Sequence, residues 1–145
     1  MNKNTNKIDR RIIDFIREHH ILTLATSYDN RPYTCTCFYV YLDDENLFVC
    51  TSDRNTKHIR DVEQQDQVAG TVALETTMVG KIRGIQFTGK MFELKDDLLK
   101  KAAKAYLKRF PVARLKDLLL WGIRPGFIKM TDNRLGFGKK LIWNG

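Results

Sequence analysis

Apolar positions at Ile8, Ile12, Phe15 and Ile16 fall on one face of a helix, which predicts a helix over residues 7–20. His19 and His20 close it, where positive or polar groups suit the C-terminal dipole. The pattern then changes to short runs rich in β-branched and aromatic residues. Residues 21–27 read as a strand, 28–32 as a turn around Asp29, Asn30 and Pro32, and 33–42 as one long strand. The polar run 43–46 predicts a hairpin turn into a strand over 47–51. A small helix follows at about 55–64, then strands at 68–74 and 82–94. An amphipathic helix from about 96 to 109 stops before Pro111. A second helical piece is expected over about 112–121, ahead of Gly122 and Pro125, and residues 127–131 give a last strand. Short strands joined by hairpins, with one small helix inserted, predict a mainly β fold: a closed or partly closed barrel with peripheral helices.

Length and composition narrow the class. The 145 residues fit a single domain, 1–145, with no repeat, linker or low-complexity tract. Apolar content of 43% and charged content of 29% are those of a soluble globular protein. No apolar run is long enough to span a bilayer as a helix. The N-terminal segment is polar and has no signal-peptide core, so a cytoplasmic location is expected.

Charge is unevenly placed. Residues 100–145 hold 12 Lys or Arg against 2 Asp or Glu, while residues 1–99 hold 13 against 15. A basic C-terminal third suits an anionic partner, either nucleic acid or a phosphate-bearing small molecule. Solvated helix faces account for much of it, since Lys100, Lys101, Lys104 and Lys108 interleave with apolar residues. Nucleic acid is the weaker candidate. The aromatic residues cluster on 33–41 and the charge after 100, whereas a stacking platform needs both on one surface.

Candidate chemistry gathers in residues 47–58. An apolar run ends in the hydroxyls of Thr51 and Ser52, a polar turn follows, and Thr56-Lys57 open a helix. A strand end and a helix N-terminus both present free backbone N–H groups, so two hydroxyls and a lysine there would hold a phosphate. The glycines of the P-loop and Rossmann fingerprints are missing. Turn chemistry with an N-cap, and an exposed lysine, explain the same residues without a ligand. The strand 33–41 offers an apolar slot, although Phe38, Tyr39 and Tyr41 fit a core or an interface equally well. Gln86, between apolar neighbours, reads as a buried amide in need of partners. The three cysteines have no zinc-ligand spacing, adjacent His19 and His20 diverge on a helix, and no metal site is expected. Cys35 and Cys37 on a strand point to one face and read as small buried hydrophobes. No histidine stands in a nucleophile setting, and acidic pairs such as Asp43-Asp44 and Asp96-Asp97 suit turns and helix starts.

Taken together, these segments resemble the pyridoxamine 5′-phosphate oxidase-like, flavin-binding split β-barrels in their small single-domain form. The resemblance spans about residues 8–94, with a looser tail to Trp143. It rests on Ile21-Leu22-Thr23-Leu24-Ala25-Thr26 followed by a polar turn and Arg31-Pro32, on Cys50-Thr51-Ser52, on Thr56-Lys57-His58-Ile59, and on Gly84-Ile85-Gln86-Phe87-Thr88-Gly89. The tail 132–138 is similar as well. The resemblance implies a homodimer holding flavin mononucleotide (FMN) at its interface. Cys35, Thr36, Cys37 and Phe38 would lie along the ring. Thr51, Ser52, Thr56 and Lys57 would reach the ribityl chain or phosphate, and Gln86 would come from the partner chain or a neighbouring strand. Where the full-length oxidase carries an arginine, this chain has Cys35, and the oxidase's C-terminal substrate motif has no clear copy. The resemblance therefore supports flavin binding better than pyridoxamine phosphate oxidation, and the expectation is a flavin (FMN)-binding protein, an FMN-dependent oxidoreductase acting on an unknown small substrate. The alternative is a non-catalytic carrier or sensor of flavin, haem or deazaflavin, the last two being used by relatives of this fold.

Overall fold

The computed structural model describes residues 6–115 and 118–145. Its first element, α1 (Arg10–Glu18), begins at Asp9, whose carboxylate accepts the Arg11 N–H at 2.9 Å, an N-cap. Ile12, Phe15 and Ile16 are buried, as their spacing predicts. The strands β1 (Ile21–Tyr28), β2 (Arg31–Phe38), β3 (Val40–Leu42) and β4 (Leu47–Thr51) follow, then α2 (Lys57–Gln64). The rest of the fold is β5 (Gln67–Ala73), β6 (Arg83–Glu93), α3 (Asp96–Arg109), β7 (Leu120–Asp132) and β8 (Lys140–Asn144). The eight strands form one antiparallel sheet in the order β2-β1-β5-β6-β7-β4-β3, with β8 also paired to β7. The sheet curls into a split half-barrel with the apolar face of α1 packed on its core, as expected of a mainly β chain with peripheral helices.

Three elements differ from the sequence expectation. The single strand over 33–42 is two. At Tyr39 the chain leaves β1 and joins β4, and Tyr39 is held at the corner by its N–H to His20 O (2.9 Å) and its hydroxyl to Ile16 O (2.6 Å). The helix expected over 112–121 is a short 3₁₀ segment, Pro111–Leu115, and residues 116–117 lie outside the described residues. Leu120 and Trp121 instead open β7, because Leu120 pairs with Thr51, and Trp121 with Cys50 and Glu93. The last strand is also longer than expected and is followed by β8, whose Leu141 and Trp143 pack on the core.

Pro125 fits within β7 because it falls between the stretch that pairs with β4 and the stretch that pairs with β8. Opposite it, the β6–β7 register shifts between Thr88 and Gly89, and a Cβ on Gly89 would lie 2.3 Å from Arg124 O.

Strand β4 explains the unbroken apolar run 47–50. Phe48 and Cys50 face the barrel core with Phe15, Tyr39 and Phe87, while Leu47 and Val49 face a second core under α3 with Ala102, Tyr106 and Leu120. No helix among the described residues is long and apolar enough to cross a membrane.

Candidate functional site

Edge strand β2 carries the four residues that the family resemblance places along a ring, and its register divides them. Cys35 pairs with Leu24 and Cys37 with Leu22, both of which are fully buried, so the two thiols face inward. Thr36 pairs with Thr23 and Phe38 with Ile21, both exposed, so these two side chains face outward.

On the inner side, Cys35 Sγ and Cys37 Sγ are 3.8 Å apart. Cys37 is buried and Cys35 half-buried. One ligand atom from each of these thiols and from His58 lies within 4.8 Å of the others. His58 reaches them from the first turn of α2. Its Nε2 is 2.7 Å from Ser52 Oγ and 3.4 Å from Thr56 Oγ1. The Cys35 thiol is raised from its ordinary range, first by its bond with Cys37 and then by burial. A bond with Cys35 draws Cys37 down, but the neighbouring Cys50 thiol and burial outweigh it and push Cys37 up to about 12.

The strand end and helix start meet as the sequence suggests. Ser52 O accepts the Trp121 indole N–H at 3.1 Å. Thr51 faces the other way, donating its hydroxyl to Leu119 O at 3.1 Å. Thr56 donates its hydroxyl to Asp53 O at 2.7 Å and does not cap α2, so no side chain at the N-cap occupies the helix's first amides.

Lys57 is already engaged. Its ammonium donates to both oxygens of Asp61 at 2.9 Å and stands 5.0 Å from the centre of the Tyr33 ring. Asp61 is buried and also accepts the Thr26 hydroxyl at 3.0 Å. The Lys57 hydrogen bond, helped by Thr26, holds the Asp61 carboxyl below its ordinary range.

The outer face is different in character. Thr36, Thr23, Thr71, Gln86 and Lys129 are successive register partners across β2, β1, β5, β6 and β7. Gln86 is exposed rather than a buried amide, because Ile85 and Phe87 take the inward positions of β6. It stands three strands from Thr36, roughly 14 Å at ordinary strand spacing. A shallow cavity of about 370 Å³ lies over this face, lined by Thr23, Ala25, Thr34, Thr71, Gln86 and Phe127 among others. Phe38, 55% exposed, stacks on His20 at 6.2 Å, whereas Tyr39 and Tyr41 are buried core residues. Within one chain, then, Cys35, Cys37, Ser52, Thr56 and Lys57 gather around the start of α2, while Thr36, Phe38 and Gln86 belong to the opposite face.

Asp61 is not marked by the sequence reading, and the expectation that no histidine lies near a serine or cysteine is overturned, because His58 meets Ser52 and the two thiols across the α2–β2 contact. The Lys57–Asp61 spacing of four on a helix was a readable signal. Nothing in the spacing of His58 announces the thiols it meets.

The geometry defines a split-barrel protein, and solved structures share it. Over 90% of this chain and 57% of the other, it superposes with a TM-score of 0.74 and 16% identity on a haem-binding protein from Mycobacterium smegmatis. The chain spans little more than half of that protein. HutZ, named a haem storage protein, from Vibrio cholerae gives 0.67 at 19% identity over 82% and 90% of the two chains. An FAD-binding protein from Mesorhizobium loti gives 0.69 at 16% identity over 83% and 90%. No family model matches the chain. Its sequence is 41% identical over 129 residues to a UPF0306 protein of Klebsiella pneumoniae, covering 89% of this chain and 88% of that one. It is 38% identical over 133 residues to one of Yersinia enterocolitica, covering 92% and 90%. The chain belongs to the UPF0306 family.

Proposed function

We propose that this protein binds FMN beside the open edge of β2, in a two-chain assembly of the pyridoxamine 5′-phosphate oxidase-like kind, with residues 1–145 acting as one domain. The observation that carries the reading is the conjunction at one sheet edge. Among the described residues, strand β2 has a sheet neighbour on one side only, and the N-terminus of α2, with no side-chain cap, stands beside it. An edge strand offers unpaired backbone donors and acceptors to a ring system. Bare helix amides offer N–H groups to a phosphate.

The residues fit the group with one adjustment. Lys57 spends two of its N–H donors on Asp61 and keeps the third, so a phosphate shares this cation with a carboxylate. Ser52 and Thr56 are the nearby hydroxyls, and Thr36 and Phe38 flank the ring. Gln86 reaches the cofactor from the second chain. Solved split barrels named for binding haem or FAD support a planar cofactor in this fold. When bound, FMN supplies hydride-accepting chemistry at its ring, and the protein binds, orients and screens it from water. Haem in the same place is a second reading, favoured by half-buried His58, whose imidazole is a haem-ligand type.

The test compares FMN with riboflavin by fluorescence quenching. Lys57→Ala is expected to weaken FMN about tenfold, the low end for a charge-assisted contact, and to leave riboflavin unchanged. Because that change also strips Asp61 of its partner, the double variant Lys57→Ala/Asp61→Ala is measured beside it. Equal losses for both ligands in the double variant would remove Lys57 from the phosphate site. No binding of FMN at tens of micromolar, roughly the weak end of useful cofactor affinity, would sink the flavin reading. A Soret band on adding haemin, with no flavin binding, would install the haem reading in its place.

A further inference from the structure

All three cysteines and one of the three histidines of this chain converge behind β2. We propose that Cys35, Cys37 and His58 form a three-ligand site for a thiophilic d¹⁰ cation, with zinc(II) as the probe, and that a fourth coordination position stays open.

The distances suit that ion. Zinc binds thiolate at about 2.3 Å in a tetrahedron, whose S···S edge is then roughly 3.8 Å. The two Sγ atoms stand 3.8 Å apart. The third ligand atom lies within 4.8 Å of both, so the His58 side chain has only a short distance to close.

The site is built on paired backbone. Cys35 and Cys37 are fixed by their register with Leu24 and Leu22, and His58 by the first turn of α2. Ser52 Oγ engages the imidazole at Nε2, 2.7 Å away, which assigns Nδ1 to the ion and leaves Nε2–H for the kind of outer hydrogen bond that orients a metal-ligating histidine. Cys37 closes the back of the site, while Cys35 and His58 are half-buried and leave an approach from solvent. Three protein ligands and an open position are the pattern of reactive rather than structural zinc sites.

Two plainer accounts fit less well. Small buried hydrophobes explain Cys50, which is fully buried, but not half-buried Cys35 beside a histidine. A Cys35–Cys37 disulfide would join residues two apart on one extended strand. Their Cα atoms are then about 6.6 Å apart, near the limit for a disulfide. Two parallel thiols at that spacing are better placed to clamp an ion than to bond to each other. The inference does not rest on the flavin reading, and its measurements are made on flavin-free protein.

The experiment titrates cobalt(II) into reduced, chelator-stripped protein. One equivalent is expected to bind, with a sulfur-to-cobalt charge-transfer band in the near ultraviolet and visible bands of tetrahedral intensity. One equivalent of zinc(II) should displace it. Cys35→Ser should lose about half of the charge-transfer intensity. His58→Gln should lower zinc affinity at least tenfold. Cys50→Ala, which removes a thiol outside the ligand set, should leave both unchanged. Circular dichroism of each variant checks that the barrel is intact. Cobalt binding without the charge-transfer band, or a band unchanged in folded Cys35→Ser, would overturn the proposal. So would failure of the parent protein to take zinc from a weak chromophoric chelator.

Discussion

Asp61 is the residue on which the edge of the barrel turns. Its buried carboxylate ties Thr26 of β1 to Lys57 at the start of α2. Asp61→Asn keeps the shape but loses the charge-assisted bonds, and should lower unfolding free energy by roughly 1–3 kcal/mol. The same group carries a pH signature. Its folded-state value is held below the usual carboxylate value of about 3.9. The stabilisation is therefore present above the unfolded value and is lost as pH falls through the folded one. Urea midpoints measured from about pH 6 down to about pH 3 should fall less steeply for Asp61→Asn than for the parent. Sequence reading puts candidate chemistry at residues 51–57 because local signals mark it: hydroxyls at a strand end, a polar turn, a helix start. It missed His58, since the contact with the thiols crosses from helix to strand and has no periodicity. It mistook Gln86 for a buried amide because an alternating strand reads the same from either face until register assigns inside and outside.

At the level of elements, the strands with one apolar face were legible and the breaks were not. The alternating burial of β1, β5 and β6 follows the period of two. The division of 33–42 depends on Tyr39 finding His20 and Ile16, contacts distant in sequence. In β7, Gly122 and Pro125 read as punctuation, yet the strand runs through them because its partners change beside Pro125. Gly89 sits against that change of partner. Gly89→Ala would press a methyl group into the Arg124 carbonyl, which is backbone and cannot rotate away. A loss of about 1–3 kcal/mol is expected, read as a lower urea midpoint. Gly126→Ala, with nothing near its Cβ, is the control and should show much less.

For the whole molecule, the outer face of the sheet is the open question of assembly. Ile21, Phe38 and Ile142 are 44%, 55% and 59% exposed, and all three belong to outward positions of β1, β2 and β8. A two-fold pairing that brings Gln86 of one chain towards β2 of the other would cover part of this face. Light scattering of dilute protein with FMN bound is expected to return twice the chain mass of 16.9 kDa. A single-chain mass with flavin bound would rule the pairing out.

The strand order also sets a timetable for synthesis. Strand β4 leaves the ribosome early, yet its main neighbour is β7, where Phe48 pairs with Ile123. At about 5–20 residues per second, translation leaves Phe48 waiting roughly 4–15 seconds for that partner. During this interval four consecutive residues destined for complete burial, Leu47 to Cys50, have only the three residues of β3 as a sheet neighbour. The core around β4 therefore cannot close until β7 has been made.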